Sequence, residues 1–273
     1  MEQQRLLVRV ARDACLPYLL TLPRFREQAA HLTFLLVGSV ATGRCGEQSD
    51  IDIAVLCEPN VYEAVSDGTA WDAGRPSETE VDGVQLHYFA ASFDDVEAKL
   101  RQLDDVFLHV YGTAVVLRDP GDQYAKRIAW VHEQAKEIRK ERLEGKLDML
   151  IRRSRALEQC LATCDELATA RVGIELIARC AKIAALLDNA EFDPRKHLLE
   201  TALNGTTGRQ LENGMKQLLS SIGALGQIRD PDDVAHWGFP ATLRAVVETL
   251  SAEARKQGFR VGLDHPDRRQ AGE

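Results

Sequence analysis

Two short apolar runs stand on either side of a polar segment near the start of the chain, and this arrangement restricts the fold more than any other feature. The runs are Phe34-Leu35-Leu36-Val37 and Ile53-Ala54-Val55-Leu56, each short and rich in residues that form buried strands. The polar segment between them is rich in Gly, Thr and Arg. The sequence therefore predicts one strand over 32–37, a second over 50–56 and a loop that joins them.

Asp50 and Asp52 stand two residues apart at the start of the second predicted strand. Because side chains at i and i+2 point to the same face of a strand, two carboxylates lie side by side. Such a pair repels unless a cation lies between the two groups. Hard oxygen ligands of this kind suit Mg²⁺. The alternative interpretation is an exposed strand end with solvated acids, so the neighbouring residues decide what the pair means.

Gly38-Ser39 follows the first apolar run directly. Glycine allows the chain to turn sharply and lets backbone N–H groups approach a ligand. The serine hydroxyl can donate to a phosphate oxygen, and Arg44, further along the loop, could pair with the same group. An ordinary tight turn with a solvated arginine is the alternative. Taken with the two aspartates, the pattern indicates a nucleotide and a metal ion.

A hairpin is predicted over Ser77–Phe89. Its two halves flank Asp82-Gly83, a pair typical of a type I′ turn. A two-residue turn at this place puts Glu78 opposite His87, and Glu80 one cross-strand pair nearer the turn. Ser92, just after the hairpin, is followed by acids and predicts an N-capped helix.

The remaining segments are mostly helical in pattern. Pro120-Gly121 marks the point where a mixed pattern of strands and helices gives way to a helical pattern with many charged residues. We therefore expect an α+β fold in which a mixed sheet with flanking helices occupies residues 1–120. An all-helical domain is expected over 121–262, with a frayed tail over 263–273. The predicted helices cover 2–20, a short piece to His31, 122–164, 167–187, a piece that ends near Ile228 after a loop over Gly205–Gly208, and 240–256.

The composition is that of a globular protein, with 45% hydrophobic and 28% charged residues. No run approaches the roughly 18–20 apolar residues of a membrane span. The start of the chain, Met1-Glu2-Gln3-Gln4-Arg5, lacks the pattern of a secretory leader, so we expect no membrane association and a cytoplasmic location. None of the 6 cysteines forms a CxxC pair, which argues against structural zinc.

The charge is unevenly distributed. The net charge is -8, and residues 1–120 carry 10 Lys and Arg against 19 Asp and Glu. The other 153 residues carry 24 against 23. An acidic surface repels nucleic acid and attracts cationic molecules, so a nucleic-acid partner is disfavoured and a cationic small molecule favoured.

The run Gly38-Ser39-Val40-Ala41-Thr42-Gly43-Arg44, ending in Ser49-Asp50-Ile51-Asp52-Ile53, resembles the signature of the DNA polymerase β-like nucleotidyltransferase superfamily. The closer likeness is to its minimal and antibiotic-modifying, aminoglycoside-type members. The resemblance implies transfer of a nucleoside monophosphate from an NTP, with ATP as the expected donor. It also implies two bound Mg²⁺ ions, or Mn²⁺, at Asp50 and Asp52, and a nucleotide bound by Gly38, Ser39, Arg44 and Ser49.

Members of that superfamily usually place a third carboxylate on a neighbouring strand, and here His87 occupies the expected position. Three explanations are open. His87 itself ligates a metal ion or acts as a base, since imidazole can do both. Alternatively, Glu78 or Glu80 supplies the third acid from across the hairpin. The third explanation is a site with two acids that is slow or inactive.

Lys196 is a candidate nucleotide ligand in the second half of the chain. Asp193-Pro194-Arg195-Lys196-His197-Leu198 resembles a Pro-x-Lys-aromatic element in the helical domains of related transferases, which implies that Lys196 could reach a phosphate. The alternative is a helix start with Pro at its first position and exposed basic side chains.

The leading functional hypothesis is a metal-dependent nucleotidyltransferase that acts on a hydroxyl of a small molecule, such as an antibiotic. A second hypothesis keeps the chemistry and places the nucleotide on a protein or a tRNA end, as in toxin–antitoxin systems. A third, prompted by the missing carboxylate, is a nucleotide-binding protein with a degraded site.

Overall fold

The computed structural model describes residues 2–66, 76–128, 130–163, 165–190, 192, 196–223 and 237–262. The chain divides into two compact units, Met1–Ala135 and Lys136–Glu273. The first contains a five-stranded mixed sheet with helices, and the described elements of the second are all helical. This confirms the predicted α+β class. The functional boundary expected at Pro120-Gly121 stays a prediction.

The sheet of the first unit has the strand order β3-β4-β2-β1-β5. Strand β2 runs antiparallel to β1 and parallel to β4, while β3–β4 and β1–β5 are antiparallel pairs. The strands are β1 (Thr33–Val37), β2 (Ile51–Cys57), β3 (Ser77–Val81), β4 (Val84–Ser92) and β5 (Val115–Arg118). The two strands predicted around the polar segment and both strands of the predicted hairpin therefore exist, with ends that shift by a few residues.

The hairpin formed by β3 and β4 has the register that the sequence predicts. Glu78 pairs with His87, and Glu80 pairs with Gln85. Asp82 and Gly83 have φ angles of 51° and 76°, which is the left-handed conformation that a type I′ turn requires at both central positions.

The helices of the first unit are α1 (Glu2–Val10), α2 (Leu16–Thr21), α3 (Pro23–Arg26), α4 (Gly38–Thr42), α5 (Pro59–Val65), α6 (Phe93–Arg101), α7 (Asp105–Gly112), α8 (Gln123–Ile128) and α9 (Trp130–Glu133). A π-helical turn over Ala11–Cys15 connects α1 to α2, in which the Leu16 N–H donates to the Ala11 carbonyl. Pro17 follows at once and lacks an N–H, so the widened turn accommodates the proline ring within a nearly continuous helix. The predicted helix over 2–20 is therefore present, with this interruption.

The N-terminal helices bury one face of the sheet. Leu7, Ala11 and Leu19 pack in one cluster with Phe34 and Ile53, all at most 3% exposed. Because strand side chains alternate, the opposite face carries Leu35, Ala54 and Leu56, which are fully buried. Asp52 and His87 extend this second face toward one end of the sheet. Helix α6 begins at the opposite end of β4, as predicted, with the Ser92 hydroxyl accepting from the N–H groups of Asp94 and Asp95.

Several cysteines are buried side chains. Cys15, Cys57 and Cys180 are buried, and Cys45 and Cys160 are half-buried, all as free thiols. Burial raises the pKa of Cys15 to about 11 and that of Cys57 and Cys180 to about 12. These three thiols therefore stay protonated near neutral pH.

The second unit contains α10 (Ala135–Ala162, which begins one residue before the division), α11 (Glu166–Leu187), α12 (Leu198–Asn204), α13 (Thr206–Gly223) and α14 (Phe239–Lys256). Leu147, Leu176, Leu218 and Leu250 are fully buried in its core. No helix in the described part of the chain combines the length and the apolar character needed to cross a bilayer. The predicted stretch 224–228 of the fourth helix and the tail over 263–273 lie outside the described residues.

One predicted loop in this unit is wrong. Of the stretch Gly205–Gly208, only Gly205 lies between helices, because α13 already begins at Thr206. The Asp188 carboxylate accepts from the backbone N–H of Thr207 at 3.0 and 2.9 Å and from its hydroxyl at 2.8 Å. An N-terminal cap supplied from the end of another helix thus replaces the local signal that the sequence lacks.

Candidate active site

A row of paired residues crosses four strands of the sheet at one end. Val37 of β1 pairs with Asp52 of β2, Asp52 pairs with His87 of β4, and His87 pairs with Glu78 of β3. Directly paired residues on neighbouring strands share a face. Sheet topology therefore brings Asp52, His87 and Glu78 together, although they come from three separate segments of the chain.

Asp50 joins this row from the segment just before β2. The Nδ1 atom of His87 lies 3.0 Å from Asp50 Oδ2 and 3.6 Å from Asp52 Oδ1. The side chains of His87, Asp52 and Asp50 are 21%, 31% and 42% exposed, so the group is open to solvent on one side. The prediction that the two aspartates share a face describes this convergence, even though Asp50 lies one residue outside the strand.

The donor atoms of Asp50, Asp52 and His87 lie within 4.8 Å of one another. Neighbouring ligands around an octahedral ion with bonds of about 2.1 Å lie about 3.0 Å apart, a spacing close to that between His87 Nδ1 and Asp50 Oδ2. Two carboxylates and an imidazole are common metal ligands. The residues present therefore fit a divalent cation.

Glu78 lies behind His87 relative to the aspartates. Its Oε1 atom is 3.9 Å from His87 Nε2, the ring nitrogen that faces away from Asp50. Its side chain is 62% exposed. Glu80 pairs with Gln85, one cross-strand pair nearer the hairpin turn. Among the described residues, the cluster that could hold a metal ion includes His87 and neither glutamate.

Gly38, the first residue after β1, lies close to the Asp52 carboxylate. Its φ angle is +73°, and a Cβ atom at this position would overlap the Asp52 carboxylate. Instead of the turn and loop that the sequence predicts, Gly38–Thr42 forms the short helix α4. The Thr42 hydroxyl donates to the carbonyls of Gly38 and Ser39, each at 3.2 Å, and helps to hold this segment. Ser39 is half-buried on it.

Gln4 is a supporting residue that the sequence pattern did not reveal. Its side-chain amide donates to the Val40 carbonyl at 3.1 Å, so that α1 is tied to α4. A Cβ atom on Gly43, where φ is +75°, would meet the same amide group at 3.1 Å. A polar residue on an amphipathic helix carries no local signal of such a contact.

The other predicted nucleotide ligands of the first unit lie in the segment between α4 and β2. Arg44 is exposed, and its backbone N–H donates to the Ser39 carbonyl at 2.9 Å. The Ser49 hydroxyl accepts from the Gly46 N–H at 2.9 Å, which closes a turn just before Asp50. Ser49 therefore shapes the entry into the acid pair, and its role in nucleotide binding stays a prediction.

Lys196 belongs to the second unit, where it is exposed just before α12. Asp193, Pro194 and Arg195 lie outside the described residues. The role of Lys196 in nucleotide binding stays a prediction.

Residues 22–142 match the nucleotidyltransferase domain family. No curated protein matches the sequence at a significant level. Among solved structures, the nucleotidyltransferase-like protein from Exiguobacterium sibiricum 255-15 is similar with a TM-score of 0.49 and 11% identity, over 89% of this chain and 78% of that chain. A likeness this weak carries no functional information. The family match does, because its segment contains Gly38, Asp50, Asp52 and His87.

Proposed function

We propose, from the match of residues 22–142 to the nucleotidyltransferase domain family, that this protein moves a nucleoside monophosphate from an NTP to a hydroxyl of a small molecule. The observation that carries the proposal is the convergence of Asp50, Asp52 and His87 beside Gly38. Nucleotidyl transfer needs a cation site and a place for phosphates next to each other, and these residues supply both.

In the proposed reaction, the acceptor oxygen attacks the α-phosphorus in line with the leaving group. A new P–O bond forms, the bond to the β-phosphate oxygen breaks, pyrophosphate leaves and the acceptor proton passes to solvent. Divalent ions, when bound, neutralise the charge on the phosphate oxygens and on the attacking and leaving oxygens. Asp50, Asp52 and His87 would hold those ions, while Gly38 and Ser39 would orient the triphosphate, so the protein would contribute mainly positioning and charge stabilisation.

Arg44 and Lys196 are proposed as further phosphate contacts. Arg44 follows α4 and is exposed, so its guanidinium is available to a charged ligand in addition to its existing contacts. Lys196 is assigned through the resemblance of its surroundings to helical domains of related transferases. Their replacement by Ala should raise the KM for the NTP more than it lowers kcat.

The proposed acceptor is a cationic small molecule such as an aminoglycoside-type antibiotic. Residues 1–120 carry 19 acidic against 10 basic side chains, a balance that attracts cations. Asp50, Asp52 and Glu78 place part of this charge at the site itself. The same balance disfavours a tRNA end, whose phosphates it would repel.

The test is acceptor-dependent release of pyrophosphate. The full chain is incubated with ATP, Mg²⁺ or Mn²⁺ and a panel of aminoglycosides, and the product is identified by mass spectrometry. Asp52→Asn should lower the rate by more than about 100-fold, because the loss of a metal ligand exceeds the usual effect of an outer partner. Its thermal stability should match or exceed that of the wild type, because one of two neighbouring like charges is removed.

Asp82→Asn is the matched control for this substitution. It removes the same charge from the hairpin turn, and Asn-Gly forms a type I′ turn as readily as Asp-Gly. It should therefore keep full activity. An Asp52→Asn protein with wild-type activity would contradict the assignment of the metal site. Nucleotide transfer to a protein or a tRNA would overturn the proposed acceptor, and tight NTP binding without turnover would favour a degraded site.

A further inference from the structure

The cation site contains a nitrogen donor in the row where a third carboxylate is usual for the superfamily. The Nδ1 atom of His87 faces both Asp50 Oδ2, at 3.0 Å, and Asp52 Oδ1, at 3.6 Å. An ion bound between the aspartates would thus meet an imidazole as its third protein ligand. Backbone pairing on both sides, with Asp52 and with Glu78, holds the histidine in this position.

The donor set matters because divalent ions differ in the ligands they prefer. Mg²⁺ is a hard cation that takes oxygen ligands and keeps several waters. Imidazole suits later first-row transition ions, and affinity for sites with nitrogen donors rises from Mn²⁺ through Co²⁺ toward Ni²⁺. A histidine in place of a carboxylate also removes one negative charge, and the affinity for a hard cation falls as its ligands carry less negative charge.

The far side of the ring supports a ligand role for His87. Metal-ligating histidines commonly donate their second ring N–H to a carboxylate, which fixes the ring and its tautomer. Here the second nitrogen, Nε2, faces Glu78 Oε1 at 3.9 Å, a distance that a small side-chain rotation would shorten to a hydrogen bond. With an ion bound at Nδ1 and Glu78 at the other ring nitrogen, His87 would be the middle member of a carboxylate–histidine–metal triad.

We propose that His87 makes this a mixed nitrogen and oxygen site that selects transition ions such as Co²⁺ over Mg²⁺, with Glu78 as the residue that positions the imidazole. The inference depends on the proposed function for the identity of the site. It goes beyond that function by naming the class of ion and the residue that determines it.

The experiment compares metal affinities of the full-length wild type and His87→Asp by calorimetric titration with Co²⁺ and with Mg²⁺. His87→Asp restores a third carboxylate in the same cross-strand row. The ratio of the Mg²⁺ to the Co²⁺ dissociation constant should fall by at least about tenfold in the variant, because Co²⁺ loses its nitrogen ligand and Mg²⁺ gains an oxygen ligand. An unchanged ratio would overturn the proposed selectivity.

X-ray absorption at the cobalt edge supplies a readout that is independent of affinity and of activity. Scattering from an imidazole ring should be present in the wild-type complex and absent from the variant. Its absence from the wild-type complex would rule out His87 as a ligand. If His87→Asp fails to fold in EDTA, as judged by circular dichroism, His87→Asn provides a neutral oxygen donor and the same two comparisons.

Glu78→Gln and Glu80→Gln form a matched pair on β3 that tests the positioning role. Loss of an outer partner typically weakens metal binding by about 10–100-fold. Glu78→Gln should therefore weaken Co²⁺ binding by roughly tenfold, whereas Glu80→Gln, which pairs with Gln85, should leave it unchanged. Equal effects of the two variants would overturn the role of Glu78.

Asp52→Asn separates failure of the selectivity from failure of the site. If this variant loses both metals while His87→Asp leaves the ratio unchanged, the site stands and the selectivity fails. If Asp52→Asn binds both metals as the wild type does, the cation lies elsewhere, and the proposed function loses its site along with the selectivity.

Discussion

Gly38 meets two requirements at once. Its φ angle of +73° belongs to the left-handed region, and the space where a Cβ atom would lie is occupied by the Asp52 carboxylate. The close approach of backbone and carboxylate explains why the residue between the first strand and Ser39 is a glycine. A side chain at position 38 would therefore have both a backbone cost and a packing cost.

Gly38→Ala and Gly83→Ala form a matched pair that separates the two requirements. Gly83 has a φ angle of +76° and open space around it. Gly83→Ala should therefore lower the free energy of unfolding by about 1–2 kcal/mol, the cost of a left-handed alanine. Gly38→Ala should lower it by about 1–3 kcal/mol more, as expected for an overpacked site. It should also weaken metal binding, because Asp52 has to move.

Urea denaturation measures the free energy for each variant, and calorimetry measures metal affinity. Equal losses of stability in the two variants, with metal binding intact in both, would show that the Asp52 side chain can move without a cost in stability or metal affinity. The close packing of Gly38 against Asp52 would then have no functional role.

At the scale of single residues, the sequence predicted that Glu78 and His87 face each other across the hairpin, beside the proposed metal site. A two-residue turn at Asp82-Gly83 sets the register by geometry alone, so Glu78 opposite His87 followed from local reasoning. The choice among His87, Glu78 and Glu80 did not. It depends on which residue of the hairpin lies next to Asp52, and the parallel pairing of β2 with β4 places His87 there.

Helix α13 is an element that the sequence predicts but whose first residue is decided by a contact with a distant segment. Its pattern of apolar residues predicts a helix, but its start depends on Asp188 at the end of α11. Gly205, which precedes α13, lies so close to Asp188 that a Cβ atom would overlap the carboxylate. A cap that comes from a distant part of the sequence has no local signature, and so the predicted loop extended too far.

Asp188→Ala should destabilise the protein by about 1–3 kcal/mol, because it leaves several donors of α13 unsatisfied. Asp165→Ala is the matched control in the same unit. Asp165 caps α11 through one hydrogen bond to the Ala168 N–H at 2.8 Å and is exposed, so its loss should be smaller, about 0.5–1 kcal/mol. Chemical denaturation measures both. A larger loss for Asp165→Ala would contradict the capping role of Asp188.

At the scale of the whole molecule, each unit contains a glutamate held by arginines. In the first unit, hydrogen bonds from Arg101 and then Arg127 lower the pKa of Glu97. In the second unit, a hydrogen bond from Arg179 lowers the pKa of Glu175. Both carboxylates are half-buried. Acid should therefore weaken both units through the same kind of contact.

The direction of this effect follows from proton linkage. A folded-state pKa below the unfolded value means that the unfolded state binds protons first as pH falls. The stabilisation is complete above the unfolded pKa and is lost as pH falls toward the folded pKa, so the free energy of unfolding should decrease between about pH 5 and pH 3.

The double variant Glu97→Gln, Glu175→Gln tests this prediction. It should be less stable than the wild type at pH 7 and should show a shallower decrease below pH 5, measured by urea denaturation at a series of pH values. Between pH 7 and pH 8 these carboxylates are ionised, so the two curves should run parallel there. A double variant with the same slope as the wild type below pH 5 would contradict the assignment.

The amino-acid sequence by itself determined the features that depend on near neighbours. These are the apolar strands, the hairpin register, the helices with their local caps, and the acid pair at Asp50 and Asp52 next to a glycine turn. Periodicity and turn geometry act over a few residues, so one chain segment is enough to predict them. Only the tertiary structure decided that β4 lies beside β2, that His87 therefore lies next to the acid pair, and that Asp188 caps α13. Those contacts join distant segments, and they exist because strand pairing and helix packing bring the segments together.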